Sequence, residues 1–369
     1  MKWPSIIQRY CSRPPATVKW QGIIERYRSR LPVTESTPVI SLSEGNTPLI
    51  HAPRFAKAIG LEADVYFKYE ALNPTCSFKD RGMTLAVSKA KERGAQVVVC
   101  ASTGNTSAAA AAYAARAGIL SAVILPNGKI AMGKLAQAMI YGAKVLAIEG
   151  NFDEALRLVR ELGSQPGVEI VNSINPVRIE GQKTAAFEIC DFLGEAPHFH
   201  FLPVGNAGNI TAYWRGYQEY FNDKITTRTP KMFGYQAAGS APIVENRIIE
   251  KPETVATAIR IGNPASWEGA KSAIAQSQGQ IDKVTDEEIL EGYRLIAQSE
   301  GIFAEPASAA SAAGIMKAHR EGKIPAGSII TATLTGHGLK DPDAAIRVSP
   351  NGVTVVPSNL ESILKALKL

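Results

Sequence analysis

Gln96-Val97-Val98-Val99-Cys100-Ala101 is a short apolar, β-branched run. It is followed by five residues of another kind, Ser102-Thr103-Gly104-Asn105-Thr106, and then by an alanine-rich stretch that closes at Ala117. A continuous apolar run of this length reads as a strand buried on both faces, and the alanine-rich stretch 106–117 reads as a helix. The segment is therefore one strand–turn–helix unit of a parallel sheet. The same alternation recurs along the chain. Strands are expected at 65–69, 96–101, 121–125, 144–148, 169–172, 199–203, 232–236 and 329–334. Helices are expected between them, at 134–141, 153–162, 185–193, 210–221, 286–299 and 307–319. This pattern specifies an α/β protein whose mostly parallel β-sheets are flanked by helices. The chain has 369 residues, and at roughly 150 residues per domain that predicts about two stacked domains. Ligands of such folds sit at the carboxyl ends of the strands, where loops pass into helix N-termini.

Composition narrows the function. A hydrophobic fraction of 45% with 20% charged residues excludes a disordered chain. Lys and Arg outnumber Asp and Glu by 40 to 34, but the surplus is dispersed, with no run of five like charges. No nucleic-acid partner is expected from it, and a small anionic substrate fits it better. Cys11, Cys76, Cys100 and Cys190 form no CxxC pair, and the five histidines form no HExxH. His198 and His200 share a strand face, but two ligands do not make a metal site, so no metal is expected. A reduced cytoplasmic protein follows. The most apolar stretch, 107–126, contains Arg116 and Gly118, so no membrane span is assigned. Lys2, Arg9, Arg13 and Lys19 precede any acidic residue, as in a transit segment. The amphipathic spacing of residues 20–24 with Tyr27 and Leu31 instead favours an ordered N-terminal arm.

Four segments break local rules in ways that point to a site. Asn73-Pro74-Thr75-Cys76-Ser77-Phe78-Lys79-Asp80-Arg81-Gly82 links a strand to a helix, with Ser77 as the expected N-cap and Lys79 in the first helical turn. A helix N-terminus disfavours a cation, and a neutral amine is what Schiff-base chemistry needs. The alternative is a surface lysine paired with Asp80. Second, the backbone amides of Ser102-Thr103-Gly104-Asn105-Thr106, with the hydroxyls of Ser102, Thr103 and Thr106, read as an anion cradle for a carboxylate, and four polar side chains exceed what ordinary capping requires. Third, Val204-Gly205-Asn206-Ala207-Gly208-Asn209 lets backbone approach a phosphate closely, yet it matches neither GxxxxGK[ST] nor GxGxxG. Fourth, Thr335 closes the last strong strand, and its hydroxyl could meet a ring nitrogen.

In their order, these segments resemble the fold-type-II pyridoxal-phosphate enzymes of the tryptophan-synthase β-like group. Within it the chain is similar to the threonine synthase family over about residues 20–343. The resemblance rests on Ser43-Glu44-Gly45-Asn46-Thr47-Pro48-Leu49, on the Lys79 turn, on Asn172-Ser173-Ile174-Asn175-Pro176-Val177-Arg178-Ile179-Glu180-Gly181-Gln182-Lys183-Thr184 and on Gly205 to Asn209. The third of these is the most discriminating, because the Ser77-Phe78-Lys79 turn is shared with serine/threonine dehydratases.

The resemblance implies pyridoxal 5'-phosphate as cofactor. Lys79 would be its covalent anchor and the proton shuttle. Gly205, Asn206, Ala207, Gly208 and Asn209 would cradle its phosphate, Asn105 would bond the ring hydroxyl and Thr335 the ring nitrogen. Ser102, Thr103, Asn105 and Thr106 would border the substrate carboxylate, and Arg178 or Lys183 would grip a substrate phosphate. His337, beside Thr335, is given no role. The implied reaction is the last step of threonine biosynthesis: O-phospho-L-homoserine and water give L-threonine and phosphate by γ-elimination and then β-addition of water. A dehydratase is the alternative, and it needs no substrate-phosphate site. A non-catalytic binding protein is disfavoured because both Lys79 and Thr335 are present. A cytoplasmic homodimer without nucleic-acid or membrane partners is implied too. So is a division into an arm at 1–40, a large cofactor domain at 41–82 and 176–369, and a smaller domain at 83–175.

Overall fold

The apolar runs pair into two sheets. The structure, a computed structural model, describes residues 19–127, 132–150, 152–349 and 352–368. Among these the strands are β1 (Leu49–His51), β2 (Ala63–Tyr69), β3 (Val97–Cys100), β4 (Leu120–Pro126), β5 (Lys144–Ile148), β6 (Val168–Ile170), β7 (Phe199–Pro203), β8 (Lys231–Ala237), β9 (Gln280–Val284) and β10 (Ser328–Leu334). One sheet has the order β1-β2-β10-β7-β8-β9, and the other β5-β4-β3-β6. All neighbouring strands are parallel except β1, which runs antiparallel to β2.

The larger sheet is covered on both faces, which is why its strands lack a polar side. Phe199 and Phe201 of β7 enter one core with Phe67 and Tyr235, while Leu202 enters the other with Phe187 and Tyr217. All eight expected strands are present, with ends moved by a residue or two. β1 and β9 were not expected. Both are edge strands; Gln280, Asp282 and Lys283 give β9 no apolar run to read. The helix Trp267–Ser277 was also unforeseen.

The alanine-rich stretch is the helix Asn105–Ala117, buried from Thr106 through Ala114 on every side. Small side chains let it lie against both its own sheet and the helix Lys79–Glu92. Among the described residues no helix is long and apolar enough to cross a membrane. The arm pattern is a four-residue helix, Ile23–Arg26, followed by the 3-10 turn Arg28–Arg30. Ile23, Ile24, Tyr27 and Leu31 are buried, and the Tyr27 hydroxyl donates to Asp191 at 3.0 Å. Lys2, Arg9, Cys11 and Arg13 lie outside the described residues. His200 is buried, its ring nitrogens 2.7 Å from the Tyr217 hydroxyl and 2.8 Å from that of Thr333.

Candidate active site

Three adjacent parallel strands, β2, β10 and β7, end in the Lys79 turn, the Thr335 loop and the 205–209 loop. In the smaller sheet the neighbours β3 and β6 end in the 102–106 loop and the segment that carries Arg178. Parallel pairing therefore gathers five of the singled-out segments at strand carboxyl ends.

The Lys79 turn is stitched to the Thr335 loop by backbone. Phe78 N–H donates to the Thr335 carbonyl at 2.9 Å, and His337 N–H donates to the Cys76 carbonyl at 3.1 Å. The helix begins at Lys79 with Phe78 at the N-cap and no side-chain cap. The expected Ser77 cap is corrected accordingly, since its hydroxyl lies 3.4 Å from the Lys79 N–H, too long to fix the turn. Asp80 does not pair with Lys79; it turns back to accept from the Thr75 N–H at 2.6 Å and from the Thr75 hydroxyl.

Beneath the turn, Arg81 is saturated. Its guanidinium meets Glu70 at 2.6 and 2.8 Å, Glu188 at 2.7 Å twice, and the hydroxyls of Thr47 and Thr184 at 3.2 Å. Lys68 adds a contact to Glu188 at 2.7 Å. Two buried cations thus face two buried carboxylates. Asn46 N–H also reaches Glu188, and Gly45 N–H reaches Asn73, both at 2.9 Å. The Ser-Glu-Gly-Asn-Thr segment is therefore a brace for the Lys79 turn.

The helix that carries Arg178 crosses the helix that begins at Lys79 backbone to backbone. A Cβ on Gly181 would fall 2.0 Å from the Arg81 carbonyl oxygen, so only glycine permits the crossing of Val177–Gln182 over Lys79–Glu92. Arg178 is buried with no carboxylate partner among the described residues. It donates to the Val171 carbonyl at 3.1 Å, and its Nε has no partner. Lys183 differs: its ammonium is held by Glu180 at 2.7 Å and Glu219 at 2.6 Å. The sequence offered both as anion ligands, and of the two only Arg178 has a charge left unmatched among the described residues.

Burial lowers the Lys79 ammonium from its ordinary 10.5 to about 7; the Arg178 charge adds to the lowering and Glu305 opposes it. Burial also pulls the Arg178 guanidinium down to about 10, so it remains a cation at neutral pH.

The 205–209 loop enters the helix Gly208–Asn222 through Ala207 in the left-handed region at φ 63°. A Cβ on Gly205 would meet Ile259 Cα at 3.0 Å. Asn206 is tied down by the N–H groups of Ala265 and Ser266 at 3.3 and 3.0 Å. Asn209 is the informative residue: both polar atoms of its side chain are buried with no partner. A buried amide without partners costs free energy, so this cradle is built for a polar guest. The helix Asn105–Ala117 likewise starts at Gly104 without a side-chain cap, leaving its first amides to a ligand. Ser102 and Thr103 are half-buried at its mouth, and Thr106 is buried.

Thr335 is buried, 3.0 Å from the Ser308 hydroxyl. His337 acts within its own turn, where its Nδ1 accepts from Leu339 N–H at 3.1 Å. The sequence reading missed Glu305, a buried carboxyl between the two loops that touches Asn105 at 3.2 Å and Thr335 at 3.4 Å.

Residues 40–336 match the family described as pyridoxal-phosphate dependent enzyme. The chain is 58% identical to a threonine synthase of Synechocystis, over 91% of this chain and 87% of that one. It is 57% identical to a threonine synthase of Mycobacterium leprae, over 100% and 97%. In structure it is similar to O-ureido-L-serine synthase, with a TM-score of 0.71 at 20% identity over 87% and 98% of the two chains. It is also similar to threonine deaminase isoform 2 of Solanum lycopersicum, with a TM-score of 0.70 at 22% identity over 84% of each.

Proposed function

The chain belongs to the pyridoxal-phosphate-dependent enzymes and, within them, to the threonine synthases, and from that membership we propose how its own residues carry the conversion of O-phospho-L-homoserine and water into L-threonine and phosphate. The residues present fit the cofactor. A half-buried lysine of lowered basicity, an orphaned Asn209 amide and a backbone cradle at Gly205 are what a covalently anchored phosphate ester requires. When bound, the cofactor supplies an electron sink beside the substrate's α-carbon.

The protein's part is positioning and proton transfer. The amides of 205–209 hold the cofactor phosphate, and Asn105 and Thr335 orient the ring. The uncapped helix start at Gly104, with Ser102, Thr103 and Thr106, receives the substrate carboxylate. Lys79 would move the protons: it takes the α-proton, passes it on, and then takes a β-proton from the substrate. Phosphate leaves from Cγ, a proton is returned to Cγ, water adds its hydroxyl at Cβ, and a proton is returned to Cα. An amine that titrates near 7 suits both directions of transfer.

The observation that carries this reading is Arg178: a buried guanidinium whose charge acts on Lys79 and which, among the described residues, has no carboxylate to neutralise it. It supports a substrate-phosphate site on this side, which a synthase needs and a dehydratase does not. A charged hydrogen bond contributes about 1.5–3 kcal/mol, so Arg178→Ala should raise KM for O-phospho-L-homoserine roughly tenfold to a hundredfold. Cofactor content should stay unchanged. Lys183→Ala should leave KM nearly as it was, because its charge is already matched. Loss of cofactor in the Arg178 variant would swap the two phosphate sites. Unchanged kinetics there would remove Arg178 from the site.

The lowered Lys79 also sets a pH dependence. Raising pH through about 7 removes the proton that blocks attack on the cofactor aldehyde. Protein stripped of cofactor should take it up covalently at a rate that rises through that pH and levels off above it. A rate that rose only near 10.5, the ordinary lysine value, would show that the amine is not buried as described. The same proposal places the protein in the cytoplasm as a homodimer acting on a small molecule, with no nucleic-acid or membrane partner. Sedimentation as a single 39.5 kDa chain would contradict the dimer.

A further inference from the structure

Glu305 stands at the N-cap of the helix Pro306–Arg320, yet its side chain does not cap that helix. It turns into the site instead and is buried. The Asn105 amide nitrogen lies 3.2 Å from Oε2 and 3.3 Å from Oε1. The Thr335 hydroxyl lies 3.4 Å from Oε1. Two cations stand near enough to act on the carboxyl, Lys79 and Lys340, but each has another contact: Lys79 Nζ lies 4.3 Å from the Phe78 ring centre, and Lys340 bonds Gln137. Gly336 packs directly against the carboxyl, where a Cβ would fall 2.6 Å from Glu305 Cδ.

Ser308 Oγ accepts the Gly336 N–H at 3.0 Å, and its own hydrogen has two acceptors in reach, Thr335 Oγ1 at 3.0 Å and, less closely, the Gly336 carbonyl at 3.3 Å. If Glu305 were ionised, Thr335 would donate to it and have no hydrogen left for a ring nitrogen. A protonated Glu305 reverses that bond.

We propose that Glu305 is a positioning residue that works as a neutral acid: one carboxyl oxygen accepts from Asn105, the other donates to Thr335, and the Thr335 hydrogen is thereby left for the cofactor's ring nitrogen. The inference rests on the assignment of Asn105 and Thr335 to the cofactor ring. Burial raises the Glu305 carboxyl above its ordinary value, against the bonds from Asn105 and Thr335 and the charges of Lys340 and Lys79. A ring nitrogen that accepts a hydrogen bond but stays unprotonated draws electrons less strongly, which confines the chemistry to elimination and addition.

The test reloads the protein with cofactor carrying 15N at the ring nitrogen. In the wild type the nitrogen should resonate as a neutral, hydrogen-bonded pyridine. Glu305→Gln keeps one donor and one acceptor and cannot ionise. Glu305→Ala should lower kcat about tenfold to a hundredfold with little change in KM, and Glu305→Gln should recover most of that loss and keep the wild-type resonance. A pyridinium resonance in the wild type would overturn the proposal, as would a Gln variant as impaired as the Ala variant. If the Ala variant fails to fold, the wild-type and Gln spectra still decide. Either adverse result in a protein that turns over O-phospho-L-homoserine removes this inference alone, whereas absence of turnover in the wild type removes the reading of the site.

Discussion

Lys79→Ala is expected to yield a folded protein that has lost the visible absorbance of covalently held cofactor, with turnover down by about 10²–10⁴-fold or more. The amine has two tasks, anchoring the cofactor and moving two protons, and general acid–base transfer alone is worth that range. No replacement is at hand. Arg178 stays protonated at neutral pH, and Lys340 is bonded to Gln137. Lys183 is held between Glu180 and Glu219. The fold should survive, because Lys79 makes no ion pair among the described residues; circular dichroism and the melting temperature check that. A variant that keeps substantial turnover would mean that the anchor lies elsewhere.

Arg81→Ala is expected to act on the fold instead, and strongly. Glu70 and Glu188 are both buried, and Arg81 is the cation they share. Deleting one partner of a buried ion pair costs about 3–5 kcal/mol, because the remaining charges are left unpaired. Here Lys68 still reaches Glu188, whereas Glu70 keeps only Thr47 and Asn73, so Glu70 is the carboxylate exposed to the loss. Denaturant unfolding should show the drop, and the Lys79 turn should loosen with it. The same network makes stability depend on pH. Burial alone would raise the Glu188 carboxyl, but Arg81 and Lys68 outweigh it and hold it well below 4.5. A group whose folded value is depressed contributes fully above its unfolded value. That stabilisation should persist above about pH 4.5 and fade as the pH falls below it. Unfolding free energies equal in the Arg81 variant and the wild type would refute the bracing role.

Much of this could be read from the sequence for a local reason. A strand buried on both faces announces itself as an apolar run, and a parallel topology then sends every following loop to one side. Lys79, Asn105 and Thr335 were found that way. What stayed hidden depends on contacts far apart in the chain. Glu305 sits before a proline at a helix start and looks like a cap; its partner Asn105 is 200 residues away. Arg178 and Lys183 are equivalent as letters; Glu180 one turn away and Glu219 on another helix, both of which hold Lys183, tell them apart. β9 carries polar residues because it is an edge. The Ser43–Leu49 segment marked a resemblance, but its physical purpose became clear only when Glu44, Gly45, Asn46 and Thr47 were seen tying the arm and the Arg81 network together.

The central claim is that O-phospho-L-homoserine loses phosphate by C–O cleavage and regains oxygen from water at the neighbouring carbon. Turnover in water enriched in 18O tests it directly. The predicted result is one L-threonine per phosphate, with the label in the threonine hydroxyl and none in the phosphate. Label in the phosphate, with homoserine as the product, would mean simple hydrolysis of the ester and would contradict the account.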